Sequence, residues 1–430
     1  MTTMIWPPIF LIFLLSIGQI FAKDCTLSPL GIGKDDTTQV EAAIAACGQF
    51  GTTTFEAGTY NITRKMTWNL VSSKVHLKGY LSFKPDVLYW LNANNTYRVV
   101  FIQSQASWFV ITGSDFEIDA HNTGGIQGNG QQSWSYFGTH AKADGDGRPI
   151  ALTLSKVTRG IVRNFRIVSP PFWAHTVAES KDVIYDGIYV NATNTDPLYI
   201  GKNIVPNTDG INTYRSDNIS LFNWDVTCGD DCLAIKGNST NIHARNVTCR
   251  GGNGIAFGSL GQYVNLSDIV TDVVLEDLLM TRIDPNVQPN MGNGVYFKSW
   301  TGTVNGVPPT GGGGGTGNVN NVVVRNVKLD RVNAPLHLYQ TNGGHTGDRP
   351  STLQFGNLQF INWTGTALTN KSKSSQVRSV IDIECSVSVG CAGVSFDHFA
   401  VTGPTGQPPR FICQNVDGLS GLNGGWRMIS

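Results

Sequence analysis

Phe222-Asn223-Trp224-Asp225-Val226 and, 23 residues later, Arg245-Asn246-Val247-Thr248 carry the pattern on which the fold turns. In both, an Asn precedes a short β-rich run. Asn tolerates left-handed backbone and hydrogen-bonds locally, so it marks a corner. The run that follows marks a strand. Related pieces stand at Arg163-Asn164-Phe165, Tyr185-Asp186-Gly187, Glu276-Asp277-Leu278, Arg325-Asn326-Val327 and Gly356-Asn357-Leu358. Counted from Asn164, the gaps are 22, 37, 23, 31, 49 and 31. The shortest set a unit of ~20–25 residues, and the longer ones are units with loop insertions or two units together.

A unit that short, built of strands, cannot bury its apolar face alone. Stacking the units into a parallel β-solenoid, with coils about 4.8 Å apart, buries a continuous core. A β-sandwich would instead show evenly spaced hairpins with Asn-Gly turns, and propeller blades would need units nearly twice as long. Neither pattern is present. One helix is expected, over residues 36–47, with Asp and Thr at its start and Gly48 as its stop. It would cap the apolar end of the stack. Residues 301–319, with Gly311–Gly315, are too Gly-rich for a strand and read as a flexible loop inserted between coils.

The 430-residue chain balances 31 Lys+Arg against 31 Asp+Glu, and charged residues make up 14%. Soluble domains average ~25%, and a neutral, charge-poor chain lacks the basic face that nucleic-acid binding needs. Its apolar and aromatic content excludes disorder. Length alone suggests about three domains; the repeat overrides that and implies one all-β domain over residues 23–430. Residues 1–22 hold a short apolar run ending in Ala22 and read as a cleaved secretory signal rather than an anchor. No later stretch is apolar enough to cross a membrane. An exported protein is compatible with eight cysteines after the signal, an even number that reads as disulfides, although spacing fixes no pairing. It is also compatible with nine glycosylation sequons, at Asn61, Asn94, Asn191, Asn218, Asn238, Asn246, Asn265, Asn362 and Asn370. A zinc site is disfavoured, and neither a metal nor a cofactor is implied.

Three acidic residues share the coil register. Asp209 precedes Gly210; Asp230 and Asp231 lie 21 and 22 residues on, within Cys228-Gly229-Asp230-Asp231-Cys232; Asn253, between Gly252 and Gly254, lies 23 beyond Asp230. Residues one coil apart stack on one face, so these side chains would form a polar column. Clustered carboxylates repel one another and one can stay protonated, which suits an acid–base pair for glycoside hydrolysis. The alternative is that they are corner hydrogen-bonders, as Asp186 and Asp277 are expected to be; three at one-coil offset, each near glycine, favour function. Lys298 lies 45 residues past Asn253, two nominal coils, and its neighbours Tyr296 and Trp300 suggest a sugar-binding face. Gly258-Ser259-Leu260-Gly261-Gln262-Tyr263 could line the same cleft, and so could His175.

In their order, Asn207-Thr208-Asp209-Gly210, Gly229-Asp230-Asp231-Cys232, Gly252-Asn253-Gly254-Ile255 with Gly258-Ser259-Leu260-Gly261, and Lys298 resemble glycoside hydrolase family 28, the pectin-degrading polygalacturonases. Asp35-Asp36-Thr37 and Gly124-Gly125-Ile126-Gln127-Gly128-Asn129-Gly130 resemble the family's opening. The resemblance implies a right-handed parallel β-helix with an open cleft. It also implies inversion at the anomeric carbon, with Asp230 as general acid and Asp209 and Asp231 activating water. Lys298, Tyr296, Asn207, Tyr263 and His175 are the candidate substrate contacts. The disulfides the resemblance suggests are Cys25–Cys47, Cys232–Cys249 and Cys385–Cys391, leaving Cys228 and Cys413 without a clear partner.

Two departures stand out. Asn253 replaces the family's His and cannot relay a proton. Tyr296 stands where the family has an Arg, so Lys298 lacks the bidentate grip that Arg gives a carboxylate. Such changes resemble the exo-acting branch, as do the Tyr263 segment and the loops at 195–206 and 301–319. The expected protein is therefore a secreted, monomeric exo-hydrolase releasing terminal galacturonate from a pectic substrate. An exo-enzyme on rhamnogalacturonan, a catalytically dead wall-polysaccharide binder and a calcium-dependent pectate lyase are the rivals.

Overall fold

The computed structural model describes residues 23–140, 147–368, 379–403, 409–422 and 427–428. Among these, 27 strands join in one sheet that coils on itself, and two short strands pair apart from it. Every pairing between named strands is parallel, and the coil is right-handed. Each turn contributes a short strand to one face and a long, bent strand to the rest. The short-strand face runs His175–Ala178, Ile211–Tyr214, Asp231–Ile235, Gly254–Leu260, Asn293–Trp300, Ala334–Asn342 and Ile381–Glu384.

The long strands bend because one residue in each takes left-handed backbone. Asn164, Gly187, Asn223, Asn246, Asp277, Asn326, Asn362 and His398 all have φ between 50° and 72° and stack in one column. Their side chains form a ladder: Asn246 Nδ2 donates to Asn223 Oδ1 at 2.7 Å, Asn326 Nδ2 to Asp277 Oδ1 at 2.9 Å and Asn362 Nδ2 to Asn326 Oδ1 at 3.0 Å. The repeat read from the sequence is real, with two corrections. Gly187, not Asp186, occupies the corner, while Asp186 accepts a ladder bond from Asn223 at 2.6 Å. Asn357 belongs to a second corner column with Asn321 and Gly393. The longer gaps up to Asn326 are single coils with insertions: the strands holding Asp277 and Asn326 pair directly.

Strand alternation turns one residue in two inward. Ile188, Trp224, Val247, Leu278, Val327 and Trp363 stack in register, each almost wholly buried. Such side chains contribute roughly 1.5–3 kcal/mol each on burial, so the continuous interior is what holds coils whose local contacts are few. The helix Thr37–Cys47 buries Val40, Ala43, Ile44 and Cys47 at helical spacing over the first coil. A disulfide from Cys25 to Cys47 fastens it to the first strand. Cys232–Cys249 and Cys385–Cys391 are also bonded, and Cys228 and Cys413 are free, buried thiols.

Two elements differ from expectation. A helix at Gln131–Thr139 had no apolar periodicity to announce it; it is held by a loop instead, through Trp134 packed on Ala192, Ile204 and Val205 and through Gln131 bonded to Asn194 and Thr195. The Gly-rich insertion ends at Gly315, since Thr316–Val332 is a strand. It is hydrogen-bonded rather than loose: Gly313 N–H donates to Gln262 O at 2.7 Å, Gly314 to Thr301 O at 2.9 Å and Gly315 to Gly261 O at 3.1 Å. Among the described residues no helix is long and apolar enough to cross a membrane; residues 1–22 lie outside them.

Candidate active site

On the short-strand face, three consecutive turns lead into strands at Asp209, at Asp230-Asp231 and at Asn253. Thr208 ties the first two: its Oγ1 donates to Val205 O at 2.7 Å and accepts from Gly229 N–H at 2.9 Å. Gly210 N–H donates to Asp231 O, and Asn253 N–H to Asp230 O at 2.7 Å. Gly252, at φ +72°, is obligatory here, because a Cβ would stand 2.3 Å from Asp230 O. The glycines beside the acids thus admit backbone, rather than ligand.

Asp230 is half-buried and reaches the surface of the face. Its Oδ2 accepts from Asn207 N–H at 3.0 Å and Nδ2 at 3.3 Å, and its Oδ1 accepts from Asn253 Nδ2 at 2.9 Å. Asn207, at φ 59°, is in turn gripped by Arg148, whose guanidinium donates to Asn207 Oδ1 at 2.9 Å and Pro206 O at 3.1 Å. Asn253 therefore aims the carboxylate and relays nothing.

Asp209 and Asp231 are each only 3% exposed. Burial drives the Asp209 carboxyl well above the ordinary range; repulsion from Asp230 and Asp231 adds to it, and Lys236 and Asn212 offset part. Asp209 Oδ1 has no partner among the described residues. Burial and then repulsion from Asp230 push Asp231 up to about 6, against the pull of Lys298, of the Tyr296 hydroxyl that donates to its Oδ1, and of Lys236. Asp209 and Asp231 therefore both hold a proton to higher pH than an ordinary carboxyl does. Near weakly acidic pH such a pair holds a proton beside an ionised oxygen, which is what general acid–base attack on an acetal needs.

The remaining expected residues divide. Lys298 borders the trio, one coil rather than two beyond Asn253, since Gly254–Leu260 pairs directly with Asn293–Trp300. Tyr296 is 4% exposed and its hydroxyl is taken up by Asp231, so it anchors an acid and offers no face to sugar. Trp300 is buried too. Tyr263 is half-buried beside Phe101, and its hydroxyl accepts from Gln103 N–H, so residues 101–103 of an early coil reach across to the turn after Gly254–Leu260. His175 does not line the cleft. It is fully buried inside the solenoid among Phe165, Tyr185 and Trp224, with neither ring nitrogen partnered among the described residues, and burial lowers it to about 3. Strand parity explains this: His175 pairs with Ile211, an inward position.

Lys236, Arg148 and Trp173 were not anticipated. Lys236 had a usable signal, because it follows Ala234 at strand period 2 on the outward side of the motif strand. Arg148 had none; only the chain's path brings it to Asn207. No group of three or more His, Cys, Asp or Glu suited to a metal occurs among the described residues.

A right-handed β-solenoid bearing three clustered aspartates on one face defines a polysaccharide-cleaving class, the glycoside hydrolases. The sequence profile of "Glycosyl hydrolases family 28" matches residues 47–423, and the chain belongs to that family. It is 41% identical over 414 residues to an Aspergillus niger protein named "Putative galacturan 1,4-alpha-galacturonidase A", covering 92% of each chain. It is 32% identical over 408 residues to the A. niger "Alpha-L-rhamnosidase rgxB", covering 93% of this chain and 89% of that one. The fold is that of the endo-xylogalacturonan hydrolase of Aspergillus tubingensis, at TM-score 0.75 and 20% identity over 95% of this chain and all of that one.

Proposed function

We propose that this glycoside hydrolase is exo-acting and secreted, and that it releases galacturonate from the non-reducing end of galacturonan with inversion. The observation that carries the reading is the trio Asp209, Asp230 and Asp231 with Lys298 beside it. Its context is a chain 41% identical to a relative named for that activity. Asp230, the least buried of the three, is the general acid, because a donor must touch the leaving oxygen. The buried pair Asp209 and Asp231 holds and activates the attacking water. Exo action is supported by the insertions bordering the face: residues 192–206, pinned to the helix Gln131–Thr139, and the bridge from Gln103 to Tyr263. No cofactor is needed for this chemistry.

Secretion is supported by the three disulfides and by the sequons. Asn94, Asn218, Asn246, Asn265 and Asn362 are exposed, and Asn61, Asn191 and Asn238 are half-buried; Asn370 lies outside the described residues. In this proposal residues 23–430 form one monomeric domain.

Mass analysis of early products from galacturonan oligomers tests this. Monomer accumulating from the first time points is expected; a ladder of intermediate oligomers would exclude exo action. One observation favours a second reading, an exo-hydrolase of rhamnogalacturonan: Tyr296 occupies the position where the family pattern has a uronate-gripping Arg, and a rhamnosidase is among the relatives. Release of rhamnose from rhamnogalacturonan oligomers, with none of galacturonate from galacturonan, would select it.

A further inference from the structure

Lys236, Gly258 and Lys298 occupy successive coils of one outward column, because Ile235 pairs with Phe257 and Phe257 with Phe297. Lys236 is 5% exposed. An ammonium has three N–H donors, yet among the described residues the one hydrogen bond from Lys236 Nζ is to Gly258 O at 3.4 Å, with the Trp173 ring 5.0 Å away. Lys298 has no hydrogen-bond acceptor or ion pair among the described residues; its ammonium lies 5.3 Å from the centre of the Tyr296 ring. Gly258 keeps the space between them clear, since a Cβ there would stand 2.6 Å from Lys298 O and 3.2 Å from Lys298 Cγ. Two buried like charges with unfilled donors destabilise a protein unless something completes them.

We propose that Lys236 is a second cation beside Lys298 in the receptor for the carboxylate of the substrate's uronate, and that its unfilled N–H donors are completed by that carboxylate. The proposal rests on the galacturonan reading above and names the residue that gives it specificity. Charge is compatible with it: burial and then the neighbouring Lys298 lower Lys236, against the pull of the aspartates, while Asp231, Tyr339, Asp230 and Asp209 hold Lys298 above its ordinary value in spite of burial. The ligand that fits has an anionic group against the lysines and neutral, protonatable oxygens against the aspartates. A uronate glycoside has both, one ring apart. A free carboxylate presents two oxygens, one for each ammonium; its methyl ester presents no charge.

The test compares the wild type with Lys236→Met, Lys236→Arg and Lys298→Met on trigalacturonate and on its methyl ester, with calorimetric binding of galacturonate as a readout independent of turnover. In Lys236→Met, kcat/KM on the free acid should fall roughly 10- to 100-fold, the worth of one charged hydrogen bond, chiefly through KM. The ester should change little, so the preference for free acid collapses; Lys236→Arg should restore part of it. Lys236→Met should melt no lower than the wild type, because it removes a poorly satisfied buried charge. Equal losses on acid and ester, an intact acid preference, or a lowered melting point would overturn the proposal and make Lys236 a support for Asp209. The two readings fail separately. A wild type that cleaves no galacturonan yet binds galacturonate through Lys236 keeps the receptor and loses the hydrolase assignment. A wild type that cleaves galacturonan with its acid preference unaffected by Lys236→Met does the reverse.

Discussion

Asp230 and Asp231 are sequence neighbours with different surroundings. Asp230 is oriented by two asparagines at the edge of the groove; Asp231 points at a buried tyrosine and a lysine. Asp230→Asn keeps the side chain's shape and removes the transferable proton, so turnover should fall by about 10²–10⁴ or more with the fold intact, although its amide nitrogen can no longer accept from Asn207 or Asn253. Near-normal hydrolysis by that variant would remove the acid assignment. Tyr296 tests the other acid. Its hydroxyl favours ionised Asp231, so Tyr296→Phe should raise the Asp231 pKa above about 6 and move the acidic limb of the kcat/KM profile to higher pH. An unmoved limb would show that Asp231 does not govern that ionisation. Both acids were legible from register and motif. The role of Tyr296 was not, because a linear sequence shows an aromatic two residues from a lysine and not which acid lies over it.

At the scale of the element, the corner column decides whether the long strands can bend. Asn326 has φ 58°, donates to Asp277 and accepts from Asn362. Asn326→Ala loses both bonds and, with them, the short polar side chain that makes left-handed backbone tolerable to a residue with a Cβ, together about 2–3 kcal/mol. Asn326→Gly loses the bonds but keeps the conformation, so it should retain about 1 kcal/mol more, apart from glycine's greater chain entropy. Urea denaturation of the two variants checks the order; an alanine variant at least as stable as the glycine one would show that backbone strain does not set this corner. The recurrence of Asn was visible in the sequence, while its division between two corners was not. Both corners use the same residue for the same reason, and only pairing register separates Asn357 from Asn326.

For the whole molecule, interior charge fixes the stability profile. Asp231 rises from 3.8 to about 6 on folding, so its stabilising contribution is present below pH ~4 and is lost as pH rises through about 6. At up to about 1.4 kcal/mol per unit, that loss is about 3 kcal/mol. Asp209, raised for the same reasons, acts in the same direction and titrates with it. His175 acts oppositely: lowered from 6.5 to about 3, it supports the fold above pH ~6.5 and withdraws that support as pH falls toward 3. Thermal melts of the substrate-free protein should therefore show Asp231→Asn losing less stability than wild type between pH 4 and 7, and His175→Phe losing less between pH 6 and 4. Parallel wild-type and variant curves would mean that these groups do not carry the pH dependence.

The sequence by itself determined the stacked coils and the acid column, because both follow from local chemistry repeated at a fixed period, and the first helix, from its caps and apolar spacing; the disulfide set was legible only through the family resemblance. Only the tertiary structure decided which side of the wall a residue faces and what crosses between coils. His175 turned inward through one step of strand parity. Lys298 moved one coil nearer because an insertion lengthened a turn without adding a rung. Lys236 and Arg148 joined the site because the fold, unlike the chain, places a residue beside its neighbours in space.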